Sequence, residues 1–219
     1  MRQLCSCFYL TSYASGCARR KTTPDSQRLE GRHQLLGYHA HLQLQLFHHL
    51  RAFKKAVESL PPLQETLVPV DFRDSLELDE AWTFVQKKTR TRWIWCATSC
   101  LTGQVWAVQV GGRDLKTLDK LWQELPSHKS WMFCYSDLYP VYHEFFSRQF
   151  PYWNHFPSPK GSGETNRAEG TNTSLRAGVS YLVRRTGAFA RSTFWLSTRI
   201  RYFIHFYNLR RKRKLTPQL

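Results

Sequence analysis

An α/β fold, with a mixed sheet covered by helices, is what this 219-residue chain predicts, and three observations predict it. Strand-forming runs crowd the stretch from Ser75 to Val110, amphipathic helical spacing follows in DLKTLDKLWQEL, and the two patterns then interleave. A hydrophobic content of 42% suffices for a packed interior, and the length suits one main domain.

Taken in order, residues 1–70 form a basic, His-rich N-terminal region of poorly defined fold. It holds five of the nine histidines, His33, His39, His41, His48 and His49, in no metal-ligand spacing. A helix is predicted from about Gln34 to Leu60, where Pro61-Pro62 ends it. SLELDEAWTFV, RWIWCATS and QVWAVQV then read as three strands of an antiparallel meander, the last two joined by the turn Leu101-Thr102-Gly103.

Asp114 stands where an N-cap belongs, with Leu115, Leu118, Leu121, Trp122 and Leu125 at helical spacing after it and Pro126 closing the helix. WMFCYS is a short apolar run, hence a buried strand. LYPVYHEFF reads as a short helix, YWNHF as a fifth strand and KGSGE as a loop. Two helices separated near Gly187 follow, and residues 209–219 read as a disordered basic tail. The order of elements over residues 71–208 is that of an RNase H-like fold, a mixed sheet flanked by helices.

Charge narrows the function. The formal net charge is +16, and from Phe145 onward 14 basic residues face only 2 acidic ones. Such a field attracts a polyanion, with DNA the leading partner. No apolar run is long enough to span a bilayer, so no membrane partner is expected. The six cysteines include no C-x-x-C pair, and reduced thiols suit a cytoplasmic chain.

Three acids carry the candidate chemistry. Asp79 lies inside a strand that should be half buried, which is costly for a carboxylate unless it is paired, hydrated or bound to a cation. Asp137 ends the central buried strand. Glu169 falls in the only acidic patch of a long, otherwise basic segment. If the first and fourth strands are neighbours, Asp79 and Asp137 come side by side, and a following helix can bring Glu169 across them. A cluster of three carboxylates is stable when divalent cations neutralise it, and oxygen-only ligands favour Mg²⁺ or Mn²⁺. Two such ions activate a water or a 3′-hydroxyl in phosphodiester chemistry. Ordinary solvated or salt-bridged acids are the alternative reading.

Several blocks resemble the catalytic part of insertion-sequence-one-type DDE transposases. They are LELDEAWTFVQKKTRTRWIWCA, GGRDLKTLDKLWQELP, YSDLYPVYHEFF, TNRAEGTNTSLRAGVSYLVRRTGAFARS and YFIHFYN. The resemblance covers about Ser75 to Asn208. It implies an RNase H-like core with a catalytic, metal-holding triad of Asp79, Asp137 and Glu169 and two Mg²⁺ ions, for which Mn²⁺ substitutes.

On the same ground Lys160, Asn172 and Arg176 are expected to contact DNA phosphates or brace the acidic helix. Arg167, Arg184 and Arg185 join them as DNA-binding candidates. The family's I-E-R-x-N block reads Ala168-Glu169-Gly170-Thr171-Asn172 here, so its basic residue is replaced by glycine.

The implied activity is 3′-end cleavage and strand transfer of an insertion sequence. The implied partners are its terminal inverted repeats and target DNA, a second copy of the chain at least, and an upstream-frame partner. The implied setting is the bacterial cytoplasm at the nucleoid. A catalytically impaired DNA-binding descendant and an RNase H-like nuclease are the competing readings.

Overall fold

Alternation along the first strand builds the molecule's two cores. In β1 (Leu76–Val85), Leu76 and Leu78 enter one core with Trp95, Ala97, Trp106, Leu118, Leu121, Tyr142 and Phe145. Ala81 and Val85, of the opposite parity, enter the other with Ile94, Cys96, Leu175, Leu196, Ile200 and Ile204. A strand period of two sends successive side chains to opposite faces, so one strand serves both cores.

The computed structural model describes residues 42–43, 45–69, 71, 73–126, 132–149, 154–159, 161–183 and 188–216. The chain divides into two compact units, Met1–Arg51 and Ala52–Leu219, and of the first only the helical residues 42–43 and 45–51 are described.

In the second unit, β2 (Lys87–Ser99) and β3 (Val105–Gly111) complete the meander with β1, and α1 (Leu115–Glu124) follows. Then come β4 (Cys134–Ser136), α2 (Pro140–Gln149), β5 (His155–Pro157), α3 (Asn166–Gly178) and α4 (Thr193–Leu215). The sheet order is β3-β2-β1-β4-β5. β1 pairs antiparallel with β2 and β2 with β3, whereas β4 lies parallel to both β1 and β5. This is the RNase H-like mixed sheet that the sequence predicts.

The helices form where their signals stand. Asp114 Oδ1 accepts from the Thr117 amide at 2.8 Å and caps α1, whose Leu118, Leu121 and Trp122 pack against Phe145 and Phe146 of α2. Ser192 caps α4 in the same way through the Trp195 amide. No described helix is long and apolar enough to cross a membrane.

Two expectations change at the ends of the core. Residues 209–215 are not a disordered tail but the last two turns of α4. That basic end is tied down: Arg211 donates to Thr102 O and Lys212 to Glu65 O, each at 3.1 Å. Before residue 71, Leu63 and Leu67 are buried in the two cores, so the core begins earlier than the sequence boundary.

A buried amide network joins these ends. Asn208 Nδ2 donates to Val105 O at 2.7 Å and to Thr66 Oγ1 at 3.0 Å, while its Oδ1 accepts from the Val105 amide at 2.8 Å. Gln104 Nε2 donates to the carbonyls of Thr66 and Asn208.

Candidate active site

The site grows from the middle of β1, where three acids occupy four consecutive positions and the strand's alternation sorts them. Glu77 and Asp79 meet α3, while Glu80 meets α2 and the loop before α1.

Asp79 is paired with Cys96 in the β1–β2 ladder, so its backbone is fixed on that side. On the other side the parallel β1–β4 register ends at Leu78 with Ser136, and Asp137 directly follows the last residue of β4. The Asp79 carboxyl is pushed up to about 6, chiefly by burial and further by the negative charges of Glu80 and Asp137. The Glu80 amide and the Asn172 side chain pull the other way without cancelling the burial.

Asp137 has a structural task as well. Its Oδ1 accepts from the Tyr139 amide at 3.0 Å, at the entrance to α2. Behind it, the Ser136 hydroxyl donates to Asp137 O at 2.9 Å and also lies 2.9 Å from His155 Nε2. With its one proton committed, Ser136 must accept there, which leaves Nε2 as the donor. His155 is stacked on Phe146 with ring centroids 4.2 Å apart, and burial lowers its pKa to about 4, so the neutral ring fits.

Glu80 is a support rather than a ligand. Its side chain is 1% exposed, accepting from Tyr142 Oη at 2.8 Å and from Arg113 Nε at 2.7 Å. The Arg113 guanidinium lies over the rings of Tyr139 and Trp93, 3.8 and 4.3 Å from their centroids. Burial raises the Glu80 pKa, and the Arg113 bond opposes the shift.

Helix α3 brings up the third acid. Glu169 is exposed in its first turn, and one turn on, Asn172 is only 6% exposed. Asn172 Nδ2 donates to Asp79 Oδ2 at 2.7 Å, and its Oδ1 is buried without a hydrogen-bond partner. That bond ties α3 to β1. Nearer the helix start, Glu77 Oε2 accepts from the Ala168 amide at 2.8 Å.

Arg167 and Arg176 are exposed on α3, while Lys160, Arg184 and Arg185 lie outside the described residues. Among the described residues no three His, Cys, Asp or Glu side chains form a metal-holding group. The structure thus sets Asp79 beside Asp137 and does not close Glu169 onto them.

An IS1 transposase family matches residues 75–210, well over half of the chain. This chain belongs to the IS1 transposase family. Insertion element iso-IS1n protein InsB of Shigella dysenteriae is 35% identical to it over 116 residues, which are 53% of this chain and 82% of that protein.

A transposase role, and with it DNA processing and DNA binding, follows for this IS1-family chain. Sequence reasoning missed Glu77 and Glu80 around its site. The signal was present in LELDE: an acid two residues before Asp79 shares its sheet face, and one directly after it takes the opposite face. For Glu80, the complementary signal was Arg113 at the mouth of α1.

Proposed function

We infer that this IS1-family transposase cuts at the 3′ ends of a mobile element and joins those ends to target DNA. In this reading Asp79, Asp137 and Glu169 hold two Mg²⁺ ions, which Mn²⁺ can replace. The observation that carries it is the Asp79 carboxyl beside Asp137, raised to about 6 because burial and acidic neighbours outweigh its hydrogen bonds. A half-buried acid pair short of positive charge, offering only oxygen donors, fits a hard divalent cation.

Bound cations supply Lewis-acid polarisation of the scissile phosphate and lower the pKa of a bound water or hydroxyl. The chain's residues do the rest. Asp79 within β1 and Asp137 just past the end of the adjacent β4 fix two donors, the ladder and the α2 entrance keep them from drifting, and Asn172 holds Asp79 in one orientation. Glu169 supplies the third carboxylate from α3. Water attack at the element's 3′ end frees a 3′-hydroxyl, which then attacks a target phosphodiester and expels a 3′-oxygen, conserving the number of phosphodiester bonds in that second step.

Arg167 and Arg176, with Lys160, Arg184 and Arg185, contact phosphates, so affinity falls as salt rises. Bringing two terminal inverted repeats together requires at least a dimer, and an upstream-frame partner serves to recognise those ends. The bacterial nucleoid is the place where such substrates occur.

The test is Mn²⁺- or Mg²⁺-dependent nicking of end-sequence DNA by the purified chain, with Asp137→Ala expected to abolish it. DNA binding without nicking under either metal would sink the enzyme reading in favour of a DNA-binding descendant. Nicking without strand joining would leave a nuclease.

A further inference from the structure

The geometry points to Glu77 as the capping group of helix α3 and, through it, as the positioning residue for Glu169. This rests on the reading of Glu169 as the third metal ligand. The first amides of a helix have no partner inside it, and an N-cap side chain ordinarily accepts from the second or third of them. In α3 the N-cap is Thr165, whose side chain makes no such bond. The third amide, that of Ala168, donates instead to Glu77 Oε2 at 2.8 Å, and Glu77 is 5% exposed. A strand carboxylate thus performs the task the local residue leaves undone, and its charge also complements the positive end of the helix.

The second anchor makes the first one directional. Asn172, four residues after Ala168, is bonded to Asp79, two residues after Glu77. Two strand residues advance about 6.8 Å and four helical residues about 6 Å, so the two bonds sit at matching intervals along β1 and α3. A helix held at one point can swing, whereas one held at two points has a fixed direction. Glu169 lies between the two anchors and directly follows the residue Glu77 holds. Gly170, next in sequence, adds no side chain of its own to steady this turn, and a Cβ there would meet nothing within 4 Å. Asp79 and Glu77 therefore divide the work on one sheet face: the first binds, the second aims its partner.

The experiment uses the full chain as wild type, Glu77→Gln, Glu77→Ala, and Glu77→Ala combined with Thr165→Asp. Three readouts are taken: hydrogen exchange over residues 166–172, binding of Mn²⁺ alone by calorimetry, and Mn²⁺-dependent nicking of end-sequence DNA. Glutamine keeps an oxygen facing the Ala168 amide and should stay within about threefold of wild type in exchange and Mn²⁺ affinity. Alanine should speed first-turn exchange about tenfold and weaken Mn²⁺ binding by a similar factor. Thr165→Asp restores a local cap and should recover most of both losses, which a merely space-filling role for Glu77 would not allow.

Equal exchange in wild type and Glu77→Ala would overturn the inference, as would a Glu77→Gln chain as loose as Glu77→Ala. If Glu77→Ala alone fails to fold, a folded, Mn²⁺-binding double variant still supports it, and an unfolded one overturns it. A wild-type chain that neither binds Mn²⁺ nor nicks DNA fails the metal-site reading and the Glu169 half of this inference, while the exchange contrast still decides the cap.

Discussion

The Asn172 amide donates to the Asp79 carboxylate across 2.7 Å, tying helix α3 to the central strand at an acid whose pKa burial raises. Asn172→Ala removes the donor and leaves a more poorly solvated carboxylate. The Asp79 pKa is then expected to rise further, and stability at pH 7 to fall by about 1–3 kcal/mol. Side-chain carbonyl NMR titration and urea unfolding measure the two effects.

Asp79 itself makes stability depend on pH in the direction opposite to an ordinary paired carboxylate. Its native pKa is about 6 against an ordinary value of 3.8, so between those values the native state binds more protons than the unfolded one. The contribution is fully favourable below the unfolded value and is lost as pH rises through the native value. Asp79→Asn should therefore stabilise the metal-free chain at pH 7.5, by roughly 1–3 kcal/mol, and have little effect near pH 4. Added Mg²⁺ should raise the melting temperature of wild type and not of Asp79→Asn. A melting series in pH and Mg²⁺ checks both statements.

Two glycines of α3 are expected to answer alanine substitution with opposite signs. A Cβ at Gly170 meets open space, so Gly170→Ala should stabilise by about 0.5–1 kcal/mol through helix propensity. A Cβ at Gly178 would lie 2.0 Å from the Phe203 ring of α4. Gly178→Ala should cost about 1–3 kcal/mol by overpacking. Denaturant midpoints of the two single variants give the comparison.

Arg113 is the sole cation bonded to Glu80 among the described residues. Arg113→Met strands a carboxylate whose side chain is 1% exposed. The expected loss is on the order of 2 kcal/mol, less than for a wholly buried pair because Arg113 is a third exposed. Adding Glu80→Gln should recover much of it, and a double-mutant cycle measured by urea unfolding supplies the coupling.

Much of this fold was legible because local signals agreed with tertiary demands. Asp114 and the leucines after it announce α1, and the meander announces itself through aromatic and β-branched runs. The neighbouring placement of Asp79 and Asp137 followed from element order alone. The sheet face of Glu77 was legible in LELDE, but its capping task was not, because its partner is a backbone amide 91 residues away and amides leave no mark in a sequence. The end of α4 was misread for a related reason. A run of like charges favours disorder in isolation, yet here Arg211 and Lys212 reach carbonyls on distant segments. Glu169 entered the triad through family resemblance, and among the described residues it does not close onto the acid pair.

Asn208 has a consequence for assembly. With one amide it returns both hydrogen bonds of Val105, the first residue of the outermost strand β3, as a neighbouring strand would. That end of the sheet is already occupied by a counterfeit strand one residue long, so another chain cannot add there by backbone pairing. A further strand therefore cannot extend the sheet by backbone pairing at Val105, whose amide and carbonyl are both already taken.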